Sequence, residues 1–163
     1  MDNIETFKDI MRKGMIQNFE KYGYLSPVFF LLKNDVPVLT PIPIEDMKTP
    51  ENKMALSKTF KEACRDPEVS CAGLISEAYT RIFKATESNS ELFKLLQNGN
   101  LRVADLKEKN DIIYMVFSTP NKEEIISYFV DPKTKTVMNK MDTNQEKTIK
   151  SSGIFTNFFE FRH

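Results

Sequence analysis

The chain has one histidine, no tryptophan, two cysteines and five glycines among its 163 residues, and these scarcities remove whole classes of chemistry. The single histidine is His163, the last residue given. A Ser-His-Asp or Cys-His nucleophile would have to rely on that one terminal side chain. Zinc sites draw four ligands from Cys, His or carboxylate. Cys64 and Cys71 with one histidine do not supply a thiol-imidazole set. Two cysteines also make no disulfide framework, and both read as reduced, buried, small apolar groups. Five glycines leave no G-x-G-x-x-G turn, and neither a G-x-x-x-x-G-K-[ST] phosphate loop nor a G-x-S-x-G elbow occurs. No metal ion or other cofactor is expected.

Charge of one sign is missing as well. Lys plus Arg and Asp plus Glu are 23 each, so the formal net charge is zero. Nucleic-acid binding usually leaves a basic footprint. The nearest approach is the tail after Asp131, with six cations (Lys133, Lys135, Lys140, Lys147, Lys150, Arg162) against Asp142, Glu146 and Glu160. That excess of three reads either as a solvated face or as a phosphate-binding patch.

Long apolar runs are absent too. Val28 to Leu32 is five residues and the longest, Ile112 to Phe117, is six, where a membrane span needs about 20. The first residues include Asp2, Glu5 and Asp9, in place of the basic stretch and apolar core of a secretory signal. Cytoplasmic residence, with no membrane contact, is the expectation.

The residues present are those of an ordinary globular domain, 40% hydrophobic and 28% charged. A chain of this length buries enough surface to fold as one domain, here taken as 1–163. Ile4, Phe7, Met11, Met15 and Phe19 recur at steps of three and four, the stripe of an amphipathic helix. Asp2 with Glu5 forms a capping pattern and Gly23 a stop. Val28–Leu32 and Val36–Leu39 read as a hairpin about Lys33-Asn34-Asp35, with Pro37 and Pro41 placing the second strand at an edge. Thr49-Pro50 starts a second helix that Asp66-Pro67 ends. Val69 to Phe83 fits either period, with a strand through Ile75 preferred. A short helix is expected from Ser88 to Gly99, then a polar loop over 98–110. Strands are expected at Ile112–Ser118, Ile125–Val130 and Thr136–Met141, followed by a loop over 142–150. The last stretch, Gly153 to Phe161, reads as a strand tied into the sheet, with Phe155, Phe159 and Phe161 on one side. The sum is an α+β fold: a mostly antiparallel sheet of about five to seven strands with two or three helices on one face.

Candidate functional residues are few. Glu77 follows the apolar run Ala72–Ile75, with Ser76 beside it and Tyr79 two residues on. A carboxylate at the end of a buried strand is a place for acid-base or ligand chemistry, and equally for a water-facing or lysine-paired Glu. Asp105, Glu108 and Asp111 read as a charged helix face or as cation ligands gathered by a loop. Tyr22 and Tyr24 are the other aromatics expected to reach a surface or groove.

Two stretches carry a resemblance. Tyr22-Gly23-Tyr24-Leu25-Ser26-Pro27-Val28-Phe29-Phe30 and Ala72-Gly73-Leu74-Ile75-Ser76-Glu77-Ala78-Tyr79 resemble a pattern recurring in small uncharacterised proteins of bacteria and their phages. Tyr79 stands where that pattern often has Trp, and the stretch from Phe83 to Asp111 is a long insert. The resemblance implies a strand at Ala72–Ile75 and a bacterial or phage origin, and carries no catalytic residue. The expectation is a small non-enzymatic binding or regulatory protein whose partner is another protein or a second copy of itself. The alternative is a carboxylate-dependent hydrolase or small-ligand-binding enzyme using Glu77. A third reading is nucleic-acid binding through the lysine-rich C-terminal third, against which the neutral charge counts.

Overall fold

The computed structural model describes residues 3–80, 91, 94–95, 109–140, 155 and 157–162. Helix α1 spans Asn3–Tyr22 and ends at Gly23, whose φ of +77° is a left-handed turn that glycine adopts freely. Strands β1 (Val28–Lys33) and β2 (Val36–Pro41) form a hairpin. Its two-residue turn sets Asn34 and Asp35 at φ 50° and 62°, where short polar side chains are tolerated best. Helix α2 covers Pro50–Ala63, and the Thr49 hydroxyl accepts the Asn52 N–H at its start. Then follow β3 (Val69–Thr80), β4 (Asn110–Thr119), β5 (Lys122–Asp131) and β6 (Thr136–Lys140).

The six strands make one antiparallel sheet in the order β2-β1-β3-β4-β5-β6, and the described elements form one α+β domain around it. Alternation along each strand sorts side chains into two cores. Phe30, Cys71, Ile75, Ile113, Met115 and Tyr128 face α1, through Phe7, Met15 and Phe19. Phe29, Ala72, Leu74 and Val116 face α2, through Phe60 and Cys64. The helices therefore divide between the two faces instead of sharing one. A strand buried on both sides explains it, because β3 has apolar residues of both parities to cover.

Gly73 sits where the faces meet most tightly. A Cβ there would lie 2.1 Å from the Val116 carbonyl oxygen and 2.3 Å from the Phe30 ring. Phe30 and Phe117 occupy the space above it, with ring centroids 6.1 Å apart.

Three expectations change. Strand β3 runs on to Thr80, so Glu77 lies within a strand and not at its end. The C-terminal aromatics form no strand among the described residues. Asn157 turns left-handed at φ 57°, and Glu160–Arg162 is a single 3-10 turn. Adjacent Phe158 and Phe159 are both buried in the α2-side core, which strand alternation forbids and a turn permits. Phe161 is 38% exposed, apart from Phe155 and Phe159. Arg162 pins the segment by donating to the carbonyls of Asp66 and Val69. The expected helix from Ser88 to Gly99 and the loops over 98–110 and 142–150 lie largely or wholly outside the described residues. Among the described residues no helix is long and apolar enough to cross a membrane.

Candidate functional site

The candidate residues from the sequence fall on opposite sides of the sheet. Ser76 and Glu77 are consecutive in β3, so they point to different faces. Ser76 is buried on the α2 side, bonded to the Glu77 carbonyl at 3.2 Å and to the Tyr114 hydroxyl across the strand pair. Burial holds the Tyr114 phenol above its ordinary pKa, against the pull of that bond. Glu77 is exposed on the α1 side, where its carboxylate accepts the Leu25 N–H at 3.2 Å. That bond ties the α1–β1 connection to β3. Asp111 shares this face, paired in register with Tyr79 and one step from the Glu77–Ile113 pair. Glu77 and Asp111 border a shallow pocket of about 140 Å³. Among the described residues no three His, Cys, Asp or Glu side chains are placed to hold a metal ion. Asp105 and Glu108 lie outside the described residues.

Tyr22 and Tyr24 lead to a larger feature. They stand on the rim of a groove of about 420 Å³ between α1 and the β1–β2 end of the sheet. The helix contributes the ridge Ile10, Gly14, Asn18 and Tyr22, spaced by four. The sheet contributes Val28, Leu39 and Ile75, and the connection contributes Tyr24, Leu25 and Ser26. Among the described residues that line it, no side chain is charged. Four are exposed although large and apolar or aromatic: Ile10 (60%), Tyr22 (59%), Tyr24 (60%) and Leu39 (55%). A cleft of this size, mostly apolar with a few polar groups, is of the kind that binds a ligand or a partner segment.

The groove exists because α1 covers only part of the sheet. Six strands spaced at about 4.8 Å make a sheet about 24 Å wide, and a helix with its side chains is about 10 Å across. The far flank of α1 is fastened. Lys8 bonds Glu124 at 3.0 Å, Arg12 bonds the Tyr128 hydroxyl at 3.1 Å, and Glu20 accepts the Val137 N–H at 3.2 Å. Burial works to lower the Lys8 pKa, but the Glu5 and Glu124 carboxylates outweigh it and hold the ammonium above its usual value. Strand β2, at the other side, is exposed along its whole length.

Ile10, Gly14 and Leu39 did not stand out in the sequence. Ile10 is an apolar residue of α1 that falls off the Phe7–Met11–Met15–Phe19 stripe, as Ile16 does on the other side, and Gly14 is the glycine inside the helix. Both were visible as exceptions to the helical pattern. Leu39 gives no such sign, because an apolar residue in an edge strand reads as core.

The cysteines belong to opposite cores, Cys64 with α2 and Cys71 with α1, and neither is in a disulfide. Burial pushes the Cys64 thiol up to about 12, with Arg162 pulling the other way, so it is held as an unreactive thiol.

No family model matches the chain, and neither a curated protein nor a solved structure is significantly similar to it.

Proposed function

We propose that the chain is a small, non-enzymatic binding protein of bacterial or phage origin that works in the cytoplasm and docks another protein in the groove beside α1. One observation carries the reading: a groove whose described lining is uncharged and includes four exposed large side chains, Ile10, Tyr22, Tyr24 and Leu39. Isolated apolar residues on a surface need no explanation, but a contiguous set around a concavity marks an interaction site. The resemblance of the Tyr22–Phe30 and Ala72–Tyr79 stretches supports the origin. Two buried cysteines on opposite faces of the sheet, neither in a disulfide, suit a reducing compartment.

The carboxylate reading keeps one supporting observation, the Glu77–Asp111 pocket, and both of its carboxylates border it from the α1 face. Native mass spectrometry of the full chain purified from its own host separates the two. Bound mass that Leu39→Glu releases and Glu77→Gln retains is the expected result. Bound mass lost only with Glu77→Gln would transfer the site to the carboxylates.

A further inference from the structure

We infer that Phe155 and residues 157–162 form a strap over the α2-side core, that the strap opens and closes as a unit while the sheet stays folded, and that Cys64 becomes accessible each time it opens. The strap lies on the face of the sheet opposite α1, so the inference goes beyond the groove and does not depend on it.

The strap is attached differently from the strands and helix it covers. The strands are joined by backbone ladders, and α2 by its own helical bonds. The backbone of the strap bonds within itself, Glu160 N–H to the Asn157 carbonyl and Arg162 N–H to the Phe159 carbonyl, each at 3.0 Å. Side chains tie it to the rest. Glu123 accepts the Asn157 N–H, Lys61 pairs with Glu160 at 2.8 Å, and Arg162 donates to the carbonyls of Asp66 and Val69. Breaking these anchors takes no ladder bond and no helical bond with it.

Closure is a balance. Burial of Phe155, Phe158 and Phe159 favours it. Three features oppose it. Asn157 is left-handed at φ 57°, a conformation that costs energy outside glycine. The Arg162 Nε is buried with no hydrogen-bond partner among the described residues. Clefts of about 280 and 460 Å³ flank the strap, one against the β4–β5 turn and one between Phe161 and α2, so its packing is one-sided. A segment with these costs and no ladder opens more readily than the core beneath it. That core keeps its own support, because Phe60 of α2 stays stacked on Phe29 of β1, with ring centroids 3.9 Å apart.

The two cysteines report on the two faces. Cys64 is fully buried in the same core as the three strap phenylalanines, and the Arg162 charge acts on its thiol. Cys71 is fully buried as well, but in the α1-side core, beneath a 20-residue helix. Opening of the strap uncovers the first and leaves the second closed.

The test is alkylation of the full wild-type chain with iodoacetamide, read at each cysteine by peptide mass spectrometry, over urea concentrations below the unfolding transition. Cys64 is expected to react at least about tenfold faster than Cys71. Its rate should barely rise with urea, because a strap exposes little surface, whereas the Cys71 rate should rise as steeply as global unfolding. Equal rates with equal urea dependence, or a faster Cys71, would show that the strap opens only with the whole domain, and would overturn the inference. Hydrogen exchange identifies the moving element. The Arg162 amide should exchange through the opening that exposes Cys64, while the α2 amides of Lys58 and Phe60 stay protected. If those helix amides exchange as readily as the Cys64 thiol reacts, α2 is what moves and the inference falls. Arg162→Ala should raise the Cys64 rate about tenfold, since it removes two charge-assisted bonds from the closed strap alone. An unchanged Cys64 rate would overturn the inference as well.

Discussion

The two flanks of α1 are built from the same helix and finished in different ways. On the β5–β6 side, charged residues at positions 8, 12 and 20 reach sheet partners, and their aliphatic stems cover apolar surface. On the β1–β2 side, positions 10, 14, 18 and 22 carry no charge and face an open groove. The edges differ in the same sense. β6 is shielded by Glu20, which accepts its Val137 N–H, whereas among the described residues β2 is protected by its own prolines. A flank closed by polar bonds serves stability. One left apolar and open costs solubility, and so points to use.

That contrast can be broken or sharpened experimentally. The largest effect is expected in the core beneath α1 itself. Phe30→Ala removes a fully buried ring that meets Phe7 and Phe117, and should cost about 3–5 kcal/mol in urea unfolding. A loss under about 1 kcal/mol there would mean that the α1-side core is loosely packed. The Lys8–Glu124 pair is part-buried, and a double-mutant cycle should return a coupling of about 0.5–1 kcal/mol. Zero coupling would erase the distinction between the flanks. Leu39→Ser, on the open flank, should change stability by no more than about 0.5 kcal/mol. A core-sized loss would show that the groove is an internal contact and not a docking surface.

The smallest effect concerns acid. The Lys13 and Arg12 side chains hold the Asp9 carboxyl below the usual aspartate value of 3.8. Lys33 does the same for Asp66, and the Lys133 and Thr134 amides for Asp131. A folded-state pKa below the unfolded one contributes stability above pH 3.8 that disappears as pH falls through the lower, folded value. Melting temperature should therefore drop from about pH 4 downward, and Asp131→Asn should make the drop shallower. All three carboxylates are at least partly open to water, which screens them, so each contribution is small. A profile unchanged by Asp131→Asn would show that the loop carboxylate does nothing for the fold.

Much of the architecture was legible because local chemistry decided it. The period of Phe7, Met15 and Phe19, the Thr49-Pro50 start and the Asn34-Asp35 turn each act within a few residues, and the structure has them where the pattern places them. Less was legible where one segment answers to two masters. Val69–Phe83 fitted both periods because β3 is buried on both faces from Val69 to Ser76, and a two-sided strand has no alternation to read. The C-terminal phenylalanines imitated a strand, but Phe158 and Phe159 enter one core together from a turn. Ser76 and Glu77 looked like one site because they are neighbours in sequence, and the pleat sends them to opposite faces.

By itself, then, the amino-acid order determined an α+β chain with an amphipathic first helix, a proline-guarded edge hairpin and an antiparallel series of strands in its last third. Those features rest on contacts between near neighbours and on periodicity, both of which are written along the chain. Only the tertiary structure decided that α1 and α2 take opposite faces, and that α1 leans toward β6 and leaves a groove along β1 and β2. It also decided that Gly14, Tyr22 and Leu39 share one wall-to-wall space. These depend on strand order and register across more than a hundred residues, where a helix about 10 Å wide must be laid on a sheet it cannot cover.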